Sequence, residues 1–307
     1  MVADHSCVTL TGPWHHRLVR ASGAQFHIAA AGTLTDGAPL VLLIHGFPQY
    51  WYAWRKQIPV LAEAGYAVAA MDVRGAGGSD RTRQTFDAPT LAQDVIGVIR
   101  SLGASKAVLV GCGSGGSLAW AAASLEPSLI AGIVTASAPH PIDTYRLGFH
   151  VTFRSWRHYF TSFLPRIAEK RVQRPALMKK LLTEFSAPGN TGASEAADKY
   201  AAAMQLPNAA KTQINQLNWT WSSPRRPAGR THLAKLSRPV DAPVLTIRGE
   251  LDPLLPERAW AQASRRVSGR YQHIVIPNAG HFAPEESPEE FNALLLGFLN
   301  DLQPAST

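Results

Sequence analysis

The chain has 307 residues, 46% of them hydrophobic and 17% charged, with a formal net charge of +8. That is enough apolar material for one large core plus an inserted piece, and no run of 18 or more uncharged apolar residues occurs to form a membrane span. The start, MVADHSCVTLTGPWHHRL, lacks the basic and apolar regions of a secretion signal, and two cysteines in unrelated contexts, Cys7 and Cys112, predict a reducing, cytoplasmic setting rather than a disulfide framework.

In chain order, the apolar runs PLVLLIH (39–45), YAVAAMD (66–72), KAVLVG (106–111) and LIAGIVTAS (129–137) read as buried parallel strands. Helical segments fall between them, notably APTLAQDVIGVIRSLG (88–103), with Thr90 expected as its cap and Gly103 as its stop. From 141 to 239 the chain turns aromatic, basic and proline-punctuated, without strand signal. Alternation resumes at APVLTIRGELD (242–252) and YQHIVIPNAGH (271–281), and a helix starting near Pro288 closes the chain. The expectation is an α/β fold with a mostly parallel central sheet flanked by helices. Residues 1–140 and 240–307 form its core domain, and 141–239 an inserted helical lid.

Much of the positive charge lies between Arg154 and Lys180, where eight basic residues face one acid, Glu169. Aromatic residues are interleaved there. A helical lid with an apolar underside and a solvated basic top accounts for this, and contact with a membrane surface is the alternative. No nucleic-acid-binding motif accompanies the charge, and no nucleic-acid partner is expected.

Chemistry concentrates in KAVLVGCGSGGSLAW (106–120), a strand, a glycine-rich turn and a helix. This is the layout of a nucleophile elbow, G-x-S-x-G. In the frame Gly111-Cys112-Gly113-Ser114-Gly115 a glycine holds the reactive position. Shifted by one, Cys112-Gly113-Ser114-Gly115-Gly116 puts Ser114 there. Further motifs stand at strand ends, where open parallel sheets carry their sites: HGFPQYWYAW (45–54), DVRGAGGSD (72–80), SAPHP (137–141), GELDP (249–253) and NAGHFAPEESP (278–288).

Together these motifs resemble the α/β-hydrolase superfamily, in particular its epoxide hydrolase branch and the related haloalkane dehalogenases, over nearly the whole chain. The resemblance implies an elbow aspartate that attacks an epoxide carbon and a histidine, held by a second acid, that activates water. It assigns Asp252 as the acid and His281 as the base. The H-G-F-P loop, His45 to Pro48, and the residue after the elbow centre imply oxyanion donors at the backbone N–H groups of Phe47 and Ser114.

Relatives in this branch read V-G-H-D-W-G-G-x-x-A-W, which aligns without a gap from Val110 to Trp120. It places Gly113 at the aspartate, Cys112 at the histidine and Ser114 at the tryptophan. The shifted frame needs an insertion and a deletion. Glycine adopts the elbow's backbone angles without clash but supplies no nucleophile. The family's lid tyrosines also fail to align fully: Asn218-Trp219-Thr220-Trp221 puts Thr220 at one, and the other falls on Tyr159 or on His158 beside it.

The sequence therefore predicts an epoxide hydrolase-like protein acting on a small apolar molecule through His281 and Asp252. Substrate contacts are expected from His45, Pro48, Cys112, His140, Tyr159 and Trp219. No cofactor or metal is expected, and the chain is expected to be a monomer or homodimer. A ligand-binding pseudoenzyme and a hydrolase using Ser114 or Cys112 off-register are the alternatives.

Overall fold

A computed structural model describes residues 5–82, 87–146, 164–223 and 226–302. Its eight strands are β1 His15–Ala21, β2 Ala24–Ala31, β3 Leu40–Ile44, β4 Val68–Met71, β5 Ala107–Cys112, β6 Ile130–Ala136, β7 Val244–Gly249 and β8 Tyr271–Ile276. They form one sheet in the order β1-β2-β4-β3-β5-β6-β7-β8. β1/β2 and β2/β4 pair antiparallel, and every other pair is parallel.

The strands from β3 onward are those expected from the apolar runs. In β3 and β5 all residues are buried, with Val41, Leu43, Val108, Val110 and Cys112 entering one core and Leu40, Leu42, Ile44, Ala107 and Leu109 the other. Alternation sends neighbours to opposite faces, and burial of both faces makes the sequence continuously apolar. The hairpin β1–β2 is absent from the expected elements because it lacks such a run. Most of β1 is exposed at the sheet edge, and β2 (AQFHIAAA) is rich in alanine, a poor strand former.

Helices α1 (Ile58–Glu63), α2 (Ala88–Ser101) and α3 (Ser114–Leu125) connect the first parallel strands. The α2 cap is Asp87 rather than Thr90: the Asp87 side chain accepts the Thr90 N–H at 2.8 Å, so Thr90 lies inside the first turn. Gly103, at φ 81°, follows the helix as expected.

Between β6 and β7 the described residues form helices and no strand: α4 (Pro141–Arg146), α5 (Pro165–Gln173), α6 (Pro175–Phe185), α7 (Ala197–Gln205), α8 (Ala209–Ser222) and α9 (Pro227–Lys235). In α5 and α6 Ala168, Val172, Met178, Leu181 and Phe185 are buried, while Arg166, Lys170, Arg174, Lys179 and Lys180 face outward. Leu164 and Ile167 are also exposed there. The short α10 (Ala283–Glu286) and α11 (Pro288–Asn300) end the fold. No helix among the described residues is long and apolar enough to cross a membrane.

Successive connections from β3 lead to β4 on one side and to β5 on the other. The crevice beyond the carboxyl ends of β3 and β5 is thus a topological switch point, the usual ligand position in open α/β sheets.

Asp72, at the end of β4, ties this crevice to the N-terminal hairpin. One of its oxygens accepts the Trp51 N–H at 2.7 Å; the other accepts His27 Nδ1–H and the Gly78 N–H, both at 2.8 Å. Burial pushes the carboxyl up, but His27, His45 and the Trp51 N–H hold it below the usual carboxylate range. Asp72→Asn turns one acceptor into a donor against these N–H groups. We expect a stability loss of about 3–5 kcal/mol, read as a lower denaturant midpoint at unchanged slope.

Candidate active site

β5 runs into α3 through Gly113, whose backbone lies at φ 52°, ψ −118°. A Cβ built on Gly113 would stand 3.4 Å from His281 Nε2, with no other heavy atom beyond the chain neighbours within 4 Å. Close packing holds the turn in place: a Cβ on Gly115 would fall 2.2 Å from the Ile44 carbonyl oxygen, so only glycine lets α3 approach β3 this closely.

His281 follows β8 and Asp252 follows β7. His281 Nδ1 donates to Asp252 Oδ2 at 3.0 Å, and the other carboxylate oxygen accepts the Leu254 N–H at 2.8 Å. With Nδ1–H so engaged, Nε2 faces the elbow, where it has no hydrogen-bond partner among the described residues.

Glu286, which the motifs did not single out, braces the histidine loop. Its carboxylate accepts the N–H groups of Gly280 and Phe282 at 2.8 Å and of Ala187 at 2.7 Å. Beside it Glu285 is buried against Arg55, Gln49 and Tyr200, the last at 2.7 Å. Two consecutive acids after the histidine were the available signal, and sequence alone did not reveal that both are buried.

On the opposite wall the Phe47 N–H donates to Ser114 Oγ at 3.2 Å, and no hydrogen bond joins that hydroxyl to His281. His45 is a brace: its Nδ1–H donates to the Gly46 carbonyl and its Nε2 accepts the Val73 N–H, both at 3.0 Å. Burial lowers its pKa, which suits this neutral tautomer.

Gly113, Ser114, Phe47 and His281 open into a cavity of about 170 Å³, walled by apolar side chains such as Val172, Leu181, Phe185, Ile214, Leu217 and Leu254. Its polar lining includes Ser117, Ser137, Thr144, Thr220 and Arg171. Arg171 pairs with Glu184 at 3.4 Å. No group of three or more metal-binding side chains occurs among the described residues.

A profile of the α/β hydrolase fold matches residues 39–288. The chain belongs to the α/β hydrolase fold family. Within it the chain falls in the epoxide hydrolase-like branch. Epoxide hydrolase A of Mycobacterium tuberculosis (strain ATCC 25618 / H37Rv) is 31% identical over 94% of this chain and 98% of its own length. Epoxide hydrolase 3 of Xenopus tropicalis is 31% identical over 97% and 82%, respectively. The structure of the epoxide hydrolase CorEH without ligand superposes with a TM-score of 0.74 at 27% identity, covering 94% of this chain and all of that one.

Several expected substrate contacts of this α/β hydrolase lie elsewhere. Pro48, Cys112 and His140 are buried and line neither this cavity nor a smaller neighbouring one of about 50 Å³. Cys112 ends a strand whose side chains enter the sheet core, and burial pushes its thiol far above the usual range. His45 and Trp219 line only the smaller cavity, which shares Phe47, Ser114, Ser117, Leu217 and Thr220 with the larger. Tyr159 and His158 lie outside the described residues.

His140 packs edge-on to Trp120 with ring centroids 4.9 Å apart and accepts the Ile142 N–H at 3.3 Å. Burial, with Arg266 nearby, lowers its pKa from 6.5 to about 4. Burial likewise lowers His232 to about 4. In both, the unfolded chain binds the proton more tightly. The stability they contribute is complete above pH 6.5 and is lost as pH falls toward 4. The denaturant midpoint is expected to drop over that window, and His140→Asn, which keeps an acceptor for Ile142, to flatten the drop.

Proposed function

We propose that this protein is an epoxide hydrolase-like enzyme for small apolar substrates, in which His281 and Asp252 activate water directly because Gly113 replaces the nucleophile. In this reading Asp252 fixes the tautomer of His281, and Nε2 takes a proton from a water in the space beside Gly113. Residues 141–239 form the lid, and the N–H groups of Ser114 and of Phe47, the latter exchanging Ser114 Oγ for the substrate, stabilise developing negative charge at the substrate oxygen.

The observation that carries the reading is the pairing of His281 with Asp252 at 3.0 Å while its other nitrogen faces Gly113 across an apolar cavity. Ligand binding without turnover is the second reading, favoured by the absent side chain itself. Burial of Cys112 and the Phe47 contact of Ser114 speak against an off-register nucleophile.

Hydrolysis of a panel of epoxides and esters by the wild-type protein and by His281→Ala tests the proposal. Turnover that depends on His281, with no adduct on Ser114 after fluorophosphonate treatment, is expected. Equal turnover in both proteins sinks the dyad, and tight ligand binding without any turnover moves the assignment to a binding protein.

A further inference from the structure

The lid carries apolar side chains on the face that its charge pattern assigns to solvent. Among the described residues seven large hydrophobic side chains are exposed, and three of them, Leu164, Ile167 and Leu177, fall within one stretch of 14 residues, at 49%, 55% and 36% exposure. Exposed apolar residues scattered singly need no cause, but a cluster set among charges marks a contact surface. Leu164 caps the start of α5, Ile167 lies in its first turn, and Leu177 lies in the first turn of α6. Arg174 ends the one helix and opens the other.

Helix periodicity sorts the faces. Ala168 and Val172 of α5 and Leu181 and Phe185 of α6 are buried and line the cavity beside Gly113 and His281. Both helices therefore turn their other faces away from the cavity, and Arg166, Ile167, Lys170, Arg174, Lys179 and Lys180 are exposed there. From 165 to 185 the chain has six basic residues and two acids, Glu169 and Glu184. Glu184 is held by Arg171 at 3.4 Å and by Lys180 at 4.0 Å, whereas Arg166, Lys170, Arg174 and Lys179 have no ion pair among the described residues.

We infer that this outer face of α5 and α6 docks on the surface of an anionic phospholipid bilayer. The basic heads reach the phosphates on long aliphatic stems, while Leu164, Ile167 and Leu177 enter the acyl boundary beneath them. A bilayer meets both halves of the pattern, with a negative surface potential and an apolar layer just below it. A nucleic acid satisfies the charges but offers no such layer to the three aliphatic side chains. Docked in this way, the cavity is separated from the lipid by one helix layer, about 10 Å. A small apolar molecule dissolved in the bilayer would then meet the protein at its lid. The docking itself holds whatever chemistry the cavity performs.

The test is cosedimentation of the whole protein, without substrate, with vesicles of phosphatidylcholine alone and of phosphatidylcholine and phosphatidylglycerol mixed two to one. Binding is expected on the mixed vesicles, at least about tenfold stronger than on phosphatidylcholine alone, and should weaken as sodium chloride is raised. Arg166→Gln, Lys170→Gln and Lys179→Gln together should weaken it about 10²-fold, since each basic residue near such a surface contributes about fivefold. Leu164→Gln with Ile167→Gln, which leaves the charge unchanged, should weaken it about tenfold or more. All five positions are exposed, so both variants should keep the wild-type circular dichroism and melting temperature.

Equal binding to the two kinds of vesicle, or none to either, overturns the inference. Binding that the charge variant leaves unchanged places the contact on another face and overturns it as well. Binding that survives in full the loss of Leu164 and Ile167 reduces the contact to charge alone, against the inference. A DNA duplex of random sequence bound as tightly as the mixed vesicles would make the face a general polyanion surface and also defeat it. Vesicle binding that follows the expected pattern stands whether or not any epoxide is turned over.

Discussion

Gly113→Asp is expected to raise epoxide hydrolysis on the order of 10²-fold or more, a partial recovery of the roughly 10⁶ that removal of a nucleophile costs a comparable catalytic unit. The geometry allows it. The new Cβ would meet His281 Nε2 at 3.4 Å, an ordinary contact, and the rest of the side chain would extend into the open cavity. The cost falls on the backbone, where φ 52° and ψ −118° strain any residue with a side chain by about 1–3 kcal/mol. The variant should therefore melt a few degrees lower while turning over faster. Steady-state diol formation and a thermal melt check both halves. A folded variant whose crystal structure turns the carboxylate away from His281 would defeat the assignment of Gly113 as the elbow centre.

The second large effect is expected from the dyad. His281→Ala should lower kcat/KM by about 10²–10⁴, the range general-base catalysis supplies. Asp252→Asn should approach this loss, because an amide no longer fixes the Nδ1–H tautomer that the 3.0 Å contact holds. The two groups act as one unit, so the double variant should be little worse than His281→Ala alone. Both single variants should fall below the wild type at every pH assayed. Three proteins with identical pH–rate profiles would leave the pair without a catalytic part.

Local patterns carried much of this into the sequence. Val108 to Cys112, and the runs at β3, β4, β6 and β7, are apolar because both sheet faces are covered, and that is visible without coordinates. The hairpin β1–β2 was illegible because a half-exposed edge strand and an alanine-rich neighbour carry no such run. Pro48, Cys112 and His140 stand outside the cavity lining for a different reason. Proximity to the elbow in a motif says nothing of direction: Cys112 turns into the core and His140 accepts the Ile142 N–H.

By itself the sequence determined the α/β alternation, the helical interval after β6, the glycine at the elbow, and the presence of a histidine and an acid at two later strand ends. Each depends on periodicity or on the order of residues within a few turns of chain. Only the tertiary structure decided that the missing side chain of Gly113 would face His281 Nε2, that the Gly113 N–H donates to the Ala136 carbonyl, and that Glu286 holds the histidine loop. Those relations join residues far apart in the chain. They are set by strand order, by the parallel register of β5 with β6, and by the path of loops over the carboxyl ends of the sheet, none of which a local pattern encodes.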